Sequence, residues 1–550
     1  MQASSDNRTE VQVAASPSLT KQSLWILSAK TIGFGLSILL PLLVVRNLAQ
    51  ADVGLYRQAF LVIVTATSIL PLGFSMSAYY FLNRERERRD STVLNIVLFN
   101  FFAGAIAFLF LSAYPSILGS LFREDQMAAL APLVGLAIWL AIFSAFLETA
   151  ALANKEAKLA TGIIIFAQLS KAALMGGAAL LFKSAEAIVL AAVVQGAGQT
   201  LVLIFFLRSR FPGFWRRFEW DFFKQHLRYA LPFGFAALLY NAQADLHHYV
   251  VAREFSSADY AIYAYGCFQL PLIWALYESI SAVLLPRMSE LQSQGRTDEM
   301  LKIMVSGIRK LAFVYFPLFV FLIVVADVFV VTLFTSRFGD SAAIFRVNLL
   351  LLPLYCLILD PLERSFKELG TFLSKVRTLV VAGLAVTLYF GIDRLGLTGT
   401  IAIVVLFVSL ERTISAWKVS RLMNFRLKDI GMLAGIARVA LSAAIPGVML
   451  ILLLSTVGDR ILGALVDGSR SLLASFGLNS GWEFLGGCVF LGLSGSLFGS
   501  AYLALAVRLN AIDEEDLERI ARAFATVADR LQGVRGWLFG GRPVRPVVEQ

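Results

Sequence analysis

Lys171 stands about eleven residues into an otherwise apolar run at 160–182, roughly 16 Å along its axis if the run is a helix. A charge at the middle of a bilayer costs about 2.5–3.5 kcal/mol on insertion scales, so such a residue faces a polar cavity or an ion-pair partner. Gln168, three residues earlier, shares its helical face. A second constellation, NAQADLHHY at 241–249, sets Asn241, Asp245 and His248 at i, i+4 and i+7 as one polar stripe, with Gln243 and His247 on a neighbouring face. A carboxylate in that stripe can take up and release a proton or hold a sodium ion; it can equally be matched by an Arg or Lys opposite. Lys30 lies seven residues into the run 23–45, about 10 Å from its start, and either lines the same cavity or snorkels to the interface.

Other chemistry is sparse. Cys267, Cys356 and Cys488 each sit inside a hydrophobic run, and His226, His247 and His248 are the only histidines. Neither a disulfide framework nor a zinc or haem site is expected from that spacing, and no metal or other cofactor is called. Glu148, Glu278, Asp327 and Glu411 fall towards the ends of apolar runs, where solvated or paired structural roles are expected. Asp360, Glu363 and Arg364 read as a gate or a structural pair, with a helix break at Asp360-Pro361.

The elements that must position these residues follow from composition. The chain has 550 residues, 58% hydrophobic and 16% charged, with a mean hydropathy of +0.73. Soluble domains carry about 25% charged residues, so a bilayer is the natural solvent here. About 20 apolar residues per crossing gives fourteen spans, from 23–45 to 484–508. Arg and Lys alternate between rich loops (Arg84 to Arg89, Arg208 to Lys224, Lys418 to Lys428) and poor ones (Arg46, Arg123, Lys183, Arg253, Arg337) without a miss. By the positive-inside rule both termini are cytoplasmic, and the +10 net charge needs no nucleic acid to explain it.

A repeat organises the spans. RNLAQADVGLY at 46–56 returns as REFSSADYAIY at 253–263, with Arg, Ala, Asp and Tyr in register 207 positions apart. Each copy follows a span on the charge-poor side. Asp52 and Asp259 are placed to cap the next helix, and Tyr56 and Tyr263 to sit at the interface. Six spans separate the copies, so the duplicated units run parallel about an axis along the membrane normal. The expected layout is an all-α polytopic protein: a disordered cytoplasmic tail (1–22), a six-helix lobe (23–208), an interfacial linker (209–228), a second six-helix lobe (229–421), two additional membrane helices (422–508), and a cytoplasmic amphipathic helix and tail (509–550). Residues 457–483 are expected to be a moderately polar outer connection. The linker, RSRFPGFWRRFEWDFF, interleaves cations and aromatics as a segment lying against anionic lipid does.

Three stretches carry a family resemblance: VVRNLAQADVGLY leading to PLGFSMSAYYF, RYALPFGFAALLYNAQAD, and LFTSRFGDSAAIF. The chain resembles the polysaccharide-transport branch of the multidrug/oligosaccharidyl-lipid/polysaccharide exporter superfamily over roughly 23–420. The resemblance implies a bacterial inner-membrane flippase that moves polyprenyl-diphosphate-linked oligosaccharide, an O-antigen or exopolysaccharide unit, to the outer leaflet by alternating access. Lys171, with Lys30, would then face the diphosphate, and Asp245 with His248 would couple transport to H⁺ or Na⁺. Gln168, Asn241, Gln269, Trp274 and Tyr277 would meet the head group, the aromatics lying against sugar rings or packing against lipid. A polysaccharide polymerase or glycosyltransferase is the expected protein partner. The same superfamily offers a drug or cation antiporter and a peptidoglycan lipid-precursor flippase as alternatives. An enzyme is disfavoured because the longest outer connection holds only Asp459, Asp467 and Glu483 as acids.

Overall fold

The structure is a computed structural model that describes residues 33, 35, 36, 38–216, 218–476 and 481–511. Lys30, the N-terminal tail and the C-terminal amphipathic helix lie outside the described residues. Among the described residues there is no strand. The helices that position the site are α1 (Ile38–Asn47), α2 (Gln50–Ile69), α3 (Ser77–Arg84), α4 (Arg89–Ala113), α5 (Ser116–Phe122), α6 (Asp125–Ala153), α7 (Ala157–Leu181), α8 (Ala185–Arg210), α9 (Trp220–Glu254) and α10 (Ser257–Gly266). After them come α11 (Pro271–Ser293), α12 (Thr297–Val324), α13 (Ala326–Phe334), α14 (Ser341–Leu349), α15 (Leu351–Leu354), α16 (Asp360–Ser365), α17 (Lys367–Leu422), α18 (Ala434–Ser475) and α19 (Trp482–Arg508).

Eight of the described helices are long and apolar enough to cross a membrane alone, and two bent pairs raise that to ten. The 56-residue α17 is two helices joined at Gly396, whose φ of 60° and ψ of −171° break the helical path between the expected eleventh and twelfth spans. The set is compatible with fourteen crossings. The expected second span is not straight: α2 and the Phe74–Arg84 segment meet at 46°. Gly73 makes that break, because its φ of 70° is left-handed and an added Cβ would lie 2.8 Å from Phe233 Cβ. Residues 267–270 interrupt the repeat-related pair α10 and α11, which are bent by 45° without a positive-φ residue at the break.

Two compact units divide the chain. The first comprises 1–275, 333–347 and 372–411; the second comprises 276–332, 348–371 and 412–550. Inside the second, α18 packs against α12 and α19, and the Tyr502 hydroxyl donates to the Phe313 carbonyl at 2.8 Å. The connection expected over 457–483 is largely helix, since α18 continues to Ser475. Asp459, Arg460, Asp467 and Arg470 punctuate a helix that keeps its Leu and Val rather than marking a loop. At the linker, α9 starts at Trp220, nine residues before the expected seventh span.

The first unit explains the repeated phrase. Arg46 donates to the Leu333 carbonyl at 2.8 Å, at the end of the short helix α13. Arg253, its repeat mate, donates to the Ser120 and Leu121 carbonyls at 3.2 and 3.4 Å, at the end of the short helix α5. The exchange continues one turn on. Gln50 donates to the Arg337 carbonyl at 3.3 Å, while Ser257 donates to Glu124 Oε2 at 2.9 Å. Arg337 returns two bonds to the Leu48 and Val45 carbonyls, and Arg123 pairs with Glu254 at 2.5 Å. Each copy of the phrase is thus clasped by the other half of the repeat.

Two expectations about the phrase are corrected. Asp52 and Asp259 are not caps: Ala49 precedes α2 without a side-chain bond, and Ser256 caps α10 by accepting from the Asp259 N–H at 3.1 Å. Asp259 instead accepts from the Ser256 hydroxyl at 2.6 Å. Tyr56 and Tyr263 are buried rather than interfacial, because α2 and α10 pack tightly against each other and turn both rings inwards.

Candidate functional site

A cavity of about 360 Å³ opens within the first unit. Leu36, Leu40 and Pro41 wall one side, and α2 supplies Tyr56, Arg57, Phe60, Leu61 and Val64. The polar lining comes from Gln168 and Lys171 on α7, Asp245 and His248 on α9, and Tyr260 on α10. Four residues singled out from sequence therefore converge across two helices separated by more than seventy positions. Helical spacing puts Gln168 and Lys171 one turn apart, and Asp245 and His248 likewise, so each helix presents a polar pair.

The electrostatics are lopsided. Lys171 and Arg57 bring two cations and Asp245 one carboxylate. Neither cation forms an ion pair among the described residues. Arg57 instead lies over the Tyr265 ring, 5.4 Å from its centroid, a contact that steadies a guanidinium without using up its N–H donors. Asp245 Oδ2 accepts from the Thr65 hydroxyl at 3.2 Å. Unpaired cations beside a water-accessible cavity in an apolar surround bind anions, and the forked Arg57 suits a phosphate oxygen pair.

Arg57 also lines the cavity, and it is absent from the candidates that the sequence suggests. With the second span expected over 55–82, Arg57 would stand at its outer end. The helix starts at Gln50, so Arg57 lies seven residues in, about 10 Å along the axis. A signal was present: Ala264 occupies the equivalent position 207 residues on, so the repeat keeps its packing residues and carries this charge in one copy only.

Other candidates fall elsewhere. Asn241 donates to the Ala237 carbonyl of its own helix at 2.7 Å and does not line the cavity. Trp274 Nε1 donates to Gln269 Oε1 at 2.9 Å, so that pair satisfies itself away from the cavity. Tyr277 is buried in the second unit beside Asp360 and Arg412. Gln243 donates to Glu411, which is 3% exposed and also accepts from Arg377 at 3.3 Å, a buried network joining α9 and α17.

A duplicated all-helical bundle with clasped loops around a polar cavity defines a multi-pass membrane protein of the flippase and exporter fold. Solved structures with that fold include a lipid II flippase MurJ in an inward closed conformation, 14% identical, with 88% of this chain and 98% of that one aligned at a TM-score of 0.64. An inward-facing multidrug resistance MATE family transporter aligns at 16% identity over 73% and 96% of the two chains, TM-score 0.53. A Pyrococcus furiosus transporter of the same superfamily, described as having a binding pocket of reversed polarity, aligns at 15% identity over 75% and 96%, TM-score 0.52. No curated protein matches the chain by sequence. Residues 43–343, more than half the chain, match the polysaccharide biosynthesis protein family, and the chain belongs to it.

Proposed function

We propose that this protein flips a lipid-linked oligosaccharide, carried on polyprenyl diphosphate, from the cytoplasmic to the outer leaflet of a bacterial inner membrane. The observation that carries the reading is the cavity in which, among the described residues, two cations without an ion pair, Arg57 and Lys171, face the single carboxylate Asp245. A diphosphate and its sugars lose hydration on leaving water, and no unaided route through hydrocarbon compensates them. Arg57 and Lys171 would replace that hydration around the diphosphate, with Gln168 and Tyr260 beside the first sugar. The lipid tail would remain in the bilayer. Asp245, the one carboxylate among the described residues that line the cavity, would exchange H⁺ or Na⁺ as access alternates. A glycosyltransferase or polysaccharide polymerase would supply and consume the cargo.

A cation antiporter is the poorer fit, because two cations lining the cavity repel a cationic drug. The peptidoglycan precursor offers the same diphosphate chemistry, so the two cargoes are separated by their sugars. The test is transport in vesicles containing the purified protein and a fluorescent polyprenyl-diphosphate oligosaccharide. Lys171→Ala is expected to slow head-group transfer at least tenfold, and Asp245→Asn to remove its dependence on an imposed ion gradient. Undiminished transfer by Lys171→Ala, or export of a cationic dye at normal rates, would defeat the proposal.

Alternating access also assigns the arginine clasps to the outer gate. Each Arg-to-carbonyl bond contributes about 1 kcal/mol. Arg46→Ala combined with Arg253→Ala should raise the outward-open population roughly tenfold or more. Faster alkylation of a cysteine introduced at Val64, on the cavity wall, measures it; an unchanged rate would remove the clasps from gating.

A further inference from the structure

A second constellation adjoins the cavity. His247 and His248 on α9 and Cys267, the residue following α10, each offer a ligand atom, and these atoms all lie within 4.8 Å of one another. In sequence they are two adjacent histidines and a cysteine nineteen positions on, which is no recognised ligand spacing. Cys267 caps α10, its N–H donating to the Tyr263 carbonyl at 2.9 Å, and α10 packs against α9. We propose that His247, His248 and Cys267 form a binding site for a thiophilic d¹⁰ metal ion, with the monovalent ion Cu⁺ preferred over Zn²⁺.

Three observations support the site independently of transport. First, His247 is already oriented. Its ring nitrogen Nδ1 shares a 2.7 Å hydrogen bond with the Tyr263 hydroxyl, and such an outer partner is what ligating imidazoles ordinarily have. The same Tyr263 side chain meets the Cys267 thiol, so one residue holds two of the three ligands. Second, His248 Nδ1 is buried with no hydrogen-bond partner. An orphaned buried nitrogen costs free energy that a metal bond would recover. Third, His248 lines the cavity, which supplies both an entry path and an open coordination position.

The geometry needs little adjustment. Around a tetrahedral ion with bonds of about 2.0–2.3 Å, ligand atoms stand roughly 3.3–3.6 Å apart. Side-chain rotation of about 1 Å closes the difference, and the His247 and His248 rings are already 4.3 Å apart between centroids. Cys267 forms no disulfide. Two imidazoles and a thiolate select soft or borderline ions over Mg²⁺ or Ca²⁺.

Charge then decides between the candidates. Arg57 on α2 faces both His248 and Cys267, while Lys171 on α7 and Asp245 on α9 line the same cavity. Cu⁺ with one thiolate is neutral overall, whereas Zn²⁺ leaves a net positive charge beside Arg57 in an apolar surround, where like charges repel strongly.

The test uses the purified full-length protein in detergent. Under anaerobic reducing conditions the protein should remove one equivalent of Cu⁺ from a chromophoric chelator. Co²⁺, standing in for Zn²⁺, should bind at least tenfold more weakly and give a sulfur-to-cobalt charge-transfer band. Cys267→Ser should abolish both signals and His248→Gln should weaken Cu⁺ binding at least tenfold, while Cys488→Ser leaves them intact. The charge-transfer band is read on the unsubstituted protein, so it reports thiolate ligation even if a variant fails to fold. Failure of Cu⁺ to bind, or Cu⁺ binding undiminished in a folded Cys267→Ser protein, overturns the site; Co²⁺ binding tighter than Cu⁺ overturns the preference.

Discussion

Arg57→Ala should lower the initial rate of head-group transfer by about 100-fold, with membrane abundance and thermal melting close to those of the unsubstituted protein. The size follows from what the guanidinium can offer. Hydrogen bonds to a charged partner contribute about 1.5–3 kcal/mol each, and a planar fork makes two of them to adjacent phosphate oxygens. Losing about 2.7 kcal/mol of stabilisation is a hundredfold loss in rate. Arg57 has no ion pair among the described residues, so its removal orphans no carboxylate among them, and folding should be spared. Arg57→Lys should recover only part of the rate, because an ammonium keeps the charge but loses the fork. It also loses the flat face held over Tyr265. The measurement is fluorescent head-group transfer in vesicles at matched protein content. Equal rates for Ala and Arg at position 57 would remove this residue from the cargo site and leave Lys171 as the only cation assigned to it.

How far the sequence reached is clearest at this cavity. Lys171, Gln168, Asp245 and His248 were legible because an ionisable or polar group deep in an apolar run has few reasons to be there, and helical spacing tells which neighbours share its face. The same logic failed for Arg57 over five residues of helix boundary. The residues of 50–54, QADVG, look like loop, yet they form the first turns of α2 because the other copy of the repeat covers them. Tyr56 and Tyr263 were misplaced for that reason: a sequence shows that a phrase is repeated, but not that its two copies pack against one another. The extension of α18 through Asp459 and Arg470 was hidden because scattered charges lower hydropathy without breaking a helix. The His247, His248 and Cys267 cluster depends on the packing of α10 against α9 and has no local signature at all.

The packing of the two copies carries the largest structural prediction. Gly54 lies where α2 crosses the start of α10, and a Cβ built there would fall 1.7 Å from the Ser257 carbonyl oxygen, 2.4 Å from its carbon and 3.0 Å from its Cα. All three atoms are backbone, so no rotamer change relieves the overlap. The helices must separate by more than an ångström. Small residues at such crossings let backbones approach in a bilayer, where close packing rather than hydrophobic expulsion holds helices together. Overpacking a core usually costs about 1–3 kcal/mol, and a clash against fixed backbone belongs at or beyond the upper end. The displacement would also carry Arg57, three residues on, away from the cavity, and pull Ser257 from its bond to Glu124. Gly54→Ala should therefore lower the melting temperature by several degrees, reduce membrane abundance and abolish transfer, whereas Gly177→Ala on α7, with nothing within 4 Å of the added carbon, should behave as the unsubstituted protein. Both glycines lie in helices, so the change in backbone propensity is similar and the difference isolates the crossing. Equal melting of the two variants would mean that α2 and α10 do not meet at Gly54, and the paired clasps built on that crossing would lose their footing.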